Sequence, residues 1–212
     1  LDPVADTVTV SDKTALIARR VVWLASGHIV QTEWGLGPNV FSDDSLVYQP
    51  IFRQSTSVLF DLATSPSHAV AAATDVEGGI WLIDPTSDAP IRRVLEDTRA
   101  HRVDIDDATP RRLALVGADR VEVVVAETGT VLHSLPAPHQ TVFDAAFSPD
   151  GSLLAAGLHD GSVCVWDIAR GELIAVLKNH RQRVSSVEFS DDGSTLFSAS
   201  WDGTVRVWGL SV

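Results

Sequence analysis

The chain has 212 residues, 45% of them hydrophobic, and a net charge of −12 at pH 7. That length suits one domain with a sizeable core, and so acidic a balance argues against nonspecific binding to nucleic acid or to an anionic membrane. No apolar run reaches the ~18 residues a membrane helix needs, no signal-peptide pattern is visible, and the lone Cys164 cannot form an intrachain disulfide, which points to a reducing, cytoplasmic interior.

In chain order, Asp6-Thr-Val-Thr-Val10 alternates polar and apolar side chains as an edge strand does. Residues 21–27 and 28–32 read as the last two strands of a blade-like sheet, followed by a loop at Gly35-Leu-Gly-Pro38 and a turn at Phe41-Ser-Asp-Asp-Ser45, with 35–56 as an inserted or remodelled segment. From residue 57 the pattern becomes regular. Strands are predicted at 58–62, 69–74, 80–84 and 91–95, then at 103–107, 112–117, 121–125 and 130–135. The phase of the first group is open, because Phe60-Asp-Leu-Ala63 also looks like the end of a third strand.

The clearest feature lies last. Residues 142–167 align with 184–209 at an offset of 42, with 12 identities in 26 positions and no gap. Both copies keep a Phe-Ser-x-Asp-Gly turn (147–151 and 189–193), an Asp-Gly turn (Asp160-Gly161 and Asp202-Gly203) and a Val-x-Val-Trp strand ending at Trp166 or Trp208. A histidine leads each copy, His139 and His180. Short β-branched strands between such turns form a four-stranded antiparallel meander, which must stack on its neighbours to bury both faces.

These motifs resemble the WD40 repeat, clearly over 139–212, more faintly over 57–138 and weakly over 1–56. The resemblance implies an all-β fold, a β-propeller of four-stranded antiparallel blades. The period allows about five blades, either a complete small ring or part of a seven-bladed one. It implies a buried hydrogen-bond network of His180, Asp202, Trp208 and a serine, for which Ser198 and Ser200 both qualify. The preceding unit has His139, Asp160 and Trp166, but Ala156 and Leu158 replace both serines, so its network lacks a hydroxyl. A closing outer strand from 6–10 is the family's usual device for an open last sheet; another chain or domain completing the propeller is the alternative.

Function has to be sought in sites. The sequence has no phosphate loop, no H-E-x-x-H, no Cys pair for zinc and no nucleophile elbow. His101-Arg102-Val-Asp104 lacks the rest of a kinase signature, and Asp43-Asp44 and the acids of 104–107 lack the Gly and Glu of a calcium loop. No cofactor or metal is expected. The resemblance implies partner binding on the face carrying the loops into the first strand and the turn before the repeat's Asp. Those positions hold Arg181, Gln182, Arg183, Trp201 and His159. Trp and Arg are hot-spot types, and a basic pair on an acidic protein suits an acidic or phosphorylated peptide. The expectation is a noncatalytic interaction platform, the C-terminal docking part of a larger signalling or defence protein, with Ala, Val, Arg and Asp usage that suits a GC-rich bacterial genome. The alternatives are a lactonase-like propeller enzyme with a central-channel site and a structural assembly subunit.

Overall fold

The computed structural model describes residues 18–26, 28–33, 36–42, 59–67, 69–84, 86–87, 91–137 and 141–210. Eighteen strands form five antiparallel sheets among these residues. Blade one contains β1 (Ala18–Trp23), β2 (His28–Glu33) and β3 (Leu36–Ser42). Blade two contains β4 (Leu59–Thr64), β5 (Ala71–Asp75), β6 (Ile80–Ile83) and β7 (Ile91–Leu95); blade three contains β8 (Arg102–Ile105), β9 (Arg112–Val116), β10 (Arg120–Val125) and β11 (Val131–Pro136). Blade four contains β12 (Val142–Phe147), β13 (Leu153–Leu158), β14 (Ser162–Asp167) and β15 (Glu172–Lys178), and blade five β16 (Val184–Phe189), β17 (Thr195–Ser200) and β18 (Val205–Gly209). Within each sheet the spatial order is the chain order. The first strands β1, β4, β8, β12 and β16 succeed one another side by side, so the sheets stack radially.

The turn chemistry explains why the meander repeats so faithfully. Ser148 and Ser190 hydroxyls donate to Asp150 and Asp192, each at 2.6 Å, and accept the N–H of Leu153 and Thr195. Gly151 and Gly193 then take φ of +67° and +70°, a region other L-residues rarely adopt. These bonds, led by the Ser190 hydroxyl, hold the Asp192 carboxyl down at about 2.

The core is divided among the blade interfaces. One apolar cluster joins blades one and two, a second joins two and three, a third joins three and four, and a fourth joins four and five. Each inner sheet buries side chains on both faces, which a lone meander cannot do. Cys164 is buried in the third cluster, and burial pushes its thiol up to about 11.

Three sequence expectations need correction. Leu36 to Pro38 lie in β3 and not in a loop, and Phe41 pairs with Ile29 in that third strand of blade one instead of ending the first strand of the next blade, while residues 43–45 of the expected turn lie outside the described residues. Residues 21–32 supply the first and second strands of their sheet, not the last two, since β1 and β2 abut β4 as β4 and β5 abut β8. The ambiguous Phe60-Asp-Leu-Ala63 stretch is in a first strand. The expected closing strand at 6–10, Asp43-Asp44 and His139 lie outside the described residues.

Candidate functional site

At the end of the sheets opposite the Phe-Ser-x-Asp-Gly turns, blade five carries a complete polar network. His180 Nε2 lies 2.8 Å from Ser198 Oγ, and the Trp208 indole N–H donates to the same oxygen at 2.9 Å. His180 Nδ1 lies 3.1 Å from Asp202 Oδ2, which also accepts the Arg181 N–H at 2.9 Å. The other Asp202 oxygen accepts the Thr204 N–H and hydroxyl. The Thr204 hydroxyl, the Arg181 N–H and their neighbours hold the Asp202 carboxyl well below the usual carboxylate range. Ser198 is therefore the network serine, whereas Ser200 donates to the Gln182 carbonyl and accepts the Asp202 N–H. Ser198→Ala is expected to cost about 1–3 kcal/mol, because it leaves the buried His180 Nε2 and the half-buried Trp208 indole N–H short of a partner, and Ser200→Ala less. Chemical denaturation of the two variants checks the order.

In blade four Asp160 accepts only local bonds from the Ser162 N–H and hydroxyl among the described residues. Ala156, Leu158, Cys164 and Trp166 instead pack together against blade three. Apolar burial takes the place of the missing hydroxyl.

Blade two has its own substitute. The buried Asp75 carboxylate accepts the Trp81 indole N–H at 2.8 Å and the N–H groups of Glu77 and Gly79, and lies 3.5 Å from the Arg93 guanidinium.

The locked turn places a stacked ladder on the surface. The Trp201 N–H donates to the Arg183 carbonyl at 3.1 Å, as the equivalent His159 N–H does to Thr141 at 2.9 Å. The Arg183 guanidinium carbon sits 3.1 Å from the centre of the Trp201 ring and 4.9 Å from that of Phe143. Phe143 in turn stacks on His159, with centroids 6.1 Å apart and planes 26° from parallel. The order Trp201, Arg183, Phe143, His159 crosses from blade five to blade four, and Arg181 and Gln182 lie exposed beside it. Trp201 is 62% exposed.

Stacking of this kind is worth about 0.5–2 kcal/mol and fixes the guanidinium plane. Asp202 is saturated by the network, and among the described residues no carboxylate or carbonyl accepts a hydrogen bond from the side chains of Arg181 or Arg183. A preoriented guanidinium with open N–H groups receives a carboxylate or phosphate in bidentate geometry.

Phe143 was not legible as a site residue. The register slip between Val142 and Asp144 releases it from regular alternation and turns it to the surface. Its one sequence signal is a Phe where the next repeat has Ser185.

The first strands form a second polar feature. Asp61 accepts the Val103 N–H at 3.2 Å, Asp104 the Phe147 N–H at 2.7 Å, and Asp144 the Val187 N–H at 3.0 Å. Each carboxylate ties its blade to the backbone of the next. Arg102 lies between Asp61, at 3.4 Å, and Asp144, at 3.9 Å. Asp104, Glu188 and Asp191 line a cavity of about 490 Å³ at the Phe-Ser-x-Asp-Gly end, with Thr64 and Phe147. Among the described residues no group of three or more His, Cys, Asp or Glu is placed to hold a metal ion.

Burial pushes the Asp104 carboxyl up to about 7 against the pull of the Phe147 and Ile105 N–H groups, with Asp144 and Asp106 adding repulsion; burial also raises Asp144. Because Asp104 binds its proton more tightly folded than unfolded, stability falls as pH rises from its unfolded value of ~3.9 to about 7 and is level above. Asp104→Asn keeps an acceptor for Phe147 and removes the titration. The variant is expected to gain on the parent between pH 5 and pH 8 in melting temperature; parallel curves would contradict this.

The radial stack of meanders defines a β-propeller. It superposes on the β-propeller domain of Cps50 (Swd1) from Myceliophteria thermophila with a TM-score of 0.75 at 14% identity, covering 92% of this chain and 68% of that one. On the computationally designed Ika8 protein the TM-score is 0.71 at 20% identity, covering 91% of this chain and 58% of that one. Residues 129–167 and 171–209 match the WD domain, G-beta repeat. These two matches cover about a third of the chain and, with the WD-repeat relative that follows, support a WD40 β-propeller family. It is 30% identical over 135 residues to WD repeat-containing protein VIP3 of Arabidopsis thaliana, which is 56% of this chain and 42% of that protein, so it spans less than half the length of this relative. Each matched repeat begins at the outer strand of one blade and ends in the third strand of the next, so the covalent unit staples neighbouring blades.

Proposed function

We propose that this protein is a noncatalytic interaction platform that seats an acidic or phosphorylated peptide on the ladder of Trp201, Arg183, Phe143 and His159. One observation carries the reading: Arg183 is held between two aromatic rings with its N–H groups uncommitted among the described residues. Arg181 supplies a second charge, and Gln182 a neutral donor and acceptor. A peptide carboxylate or phosphate meets Arg183 edge-on, and its flanking residues pack on the exposed indole.

Support for a protein partner also comes from the relationship to WD-repeat proteins. The cavity at Asp104 and Glu188 also carries the Thr64 and Ser65 hydroxyls, but no histidine or lysine lines it among the described residues to activate them, which favours binding over hydrolysis. A cytoplasmic setting accords with the buried, free Cys164. Composition alone speaks for a bacterial source and the family resemblance alone for a larger signalling or defence protein, and the relative named above is from a plant.

The test is a peptide array spanning neutral, Asp/Glu-rich, phosphoserine and phosphothreonine sequences, followed by fluorescence anisotropy on the best binder. Arg183→Glu is expected to abolish binding of acidic and phosphorylated peptides, while Arg183→Lys retains a part of it, because a point charge lacks the planar fork. Equal affinity for neutral and acidic peptides, or unchanged affinity in Arg183→Glu, would overturn the reading.

A further inference from the structure

The outer rim of the sheets differs from blade to blade. In the three four-stranded sheets the outermost strands are β7, β11 and β15, and among the described residues none has a strand on its free side. Such an edge offers a row of open backbone N–H and C=O groups to any extended chain, and proteins commonly blunt it with short strands, charged side chains or proline. β7 has five residues, two of them Arg92 and Arg93, and β11 has six and ends in Pro136. The third rim strand has no such protection.

β15 is seven residues long and runs Leu173-Ile-Ala-Val-Leu177 with no charge or proline between Glu172 and Lys178. Leu173 is 42% exposed, Ile174 53% and Val176 43%. All three rim strands carry a register slip against their inner neighbour, so the slip does not set β15 apart. Its difference is an apolar, uninterrupted edge.

The charges at its two ends select the occupant. Glu172 opens the strand and Lys178 closes it, both exposed, so β15 is complementary to itself run in the opposite direction. We propose that β15 pairs antiparallel with β15 of a second copy of this chain, about a two-fold axis at Ala175, joining the two blade-four sheets edge to edge. The axis sets Ile174 of each copy against Val176 of the other and lays the Glu172 end of each strand along the Lys178 end of its mate. Parallel pairing would instead put Glu172 beside Glu172 and Lys178 beside Lys178. The same antiparallel operation on β7 sets Arg93 against Arg93, which like-charge repulsion opposes. None of Trp201, Arg183, Phe143 and His159 takes part, so the pairing does not depend on the peptide-binding reading.

Sedimentation velocity of the 212-residue chain over a concentration series tests this, with Ala175→Cys as a crosslinking reporter. A monomer–dimer equilibrium is expected. Ala175→Cys is expected to give a disulfide-linked dimer under mild oxidation, because the axis places the two Cα atoms about 4.5–5.5 Å apart, within disulfide reach. The native Cys164 is buried and does not compete. Ile174→Lys and, as a second variant, Val176→Lys are each expected to weaken the dimer at least ~10-fold while circular dichroism matches the parent. Glu172→Lys alone is expected to weaken it, and Glu172→Lys combined with Lys178→Glu to restore it, since the swapped ends are again complementary. A monomer at every concentration up to ~100 μM would overturn the proposal. A dimer that neither crosslinks through Ala175→Cys nor responds to these variants would also overturn it, by assigning association to another surface, such as exposed Val205 and Val207 of blade five.

Discussion

Trp166→Ala is expected to destabilise the protein by about 3–5 kcal/mol, more than Trp208→Ala, although only Trp208 belongs to a complete hydrogen-bond network. Trp166 is 1% exposed and sits among Ala156, Leu158, Cys164 and Ile168 of its own blade, facing Val116, Val121 and Val123 of blade three. Truncation leaves a cavity across the interface that neither rigid sheet can close. Trp208 is half-buried, packs beside the fourth cluster and loses one hydrogen bond to Ser198 on truncation. Losing that bond costs about 1 kcal/mol net, besides leaving Ser198 partly orphaned. Urea denaturation followed by far-ultraviolet circular dichroism ranks the two. A larger loss in Trp208→Ala would mean that the polar network, and not inter-blade burial, dominates stability.

Trp201→Ala is expected to weaken peptide binding by on the order of 30-fold or more, the effect of losing a hot-spot side chain worth ~2 kcal/mol. Two losses combine: the indole surface offered to the peptide, and the stacking that fixes Arg183 at 3.1 Å from the ring centre. Folding stability should move by less than ~0.5 kcal/mol, since the side chain is largely in solvent and its backbone bond to Arg183 survives. Trp201→Phe keeps a ring over the guanidinium and is expected to retain part of the affinity. A double-mutant cycle of Trp201→Ala with Arg183→Ala should give a coupling energy above ~0.5 kcal/mol, as residues in contact do. Additive effects would mean that the two side chains act on the partner separately.

Much of blades two to five was legible because the turns carry their own chemistry. Asp-Gly pairs such as Asp160-Gly161 and Asp202-Gly203 combine a side-chain acceptor with a glycine at φ near +80°, and the strands between them then fall into place. Blades one, two and three lack such pairs, and in blade one Trp23 also imitates the Trp that ends a third strand, which is why residues 21–32 read as the wrong half of a sheet. Ser198 and Ser200 share a strand face, so only the three-dimensional position of His180 tells them apart.

The ladder was half visible. Trp201, Arg183 and His159 stand out as turn residues, but their contact depends on Phe143, which sits at a register shift that β4 and β16 share and whose position in β16 is taken by Ser185. The stitching by Asp61, Asp104 and Asp144 was hidden for a related reason. Asp104 sits two residues further along its strand than the position shared by Asp61, Arg102 and Asp144, so a fixed offset does not superimpose the three acids.

The most direct measurement is hydrogen exchange by mass spectrometry with and without the best acidic or phosphorylated peptide. Binding on the ladder is expected to slow exchange at 141–143, 159–162, 181–185 and 200–204, and to leave the Phe-Ser-x-Asp-Gly turns at 148–152 and 190–194 unchanged. Slowed exchange at those turns, around the cavity of Asp104 and Glu188, with none at Arg183 or Trp201, would place the peptide at the other end of the propeller and contradict the assignment.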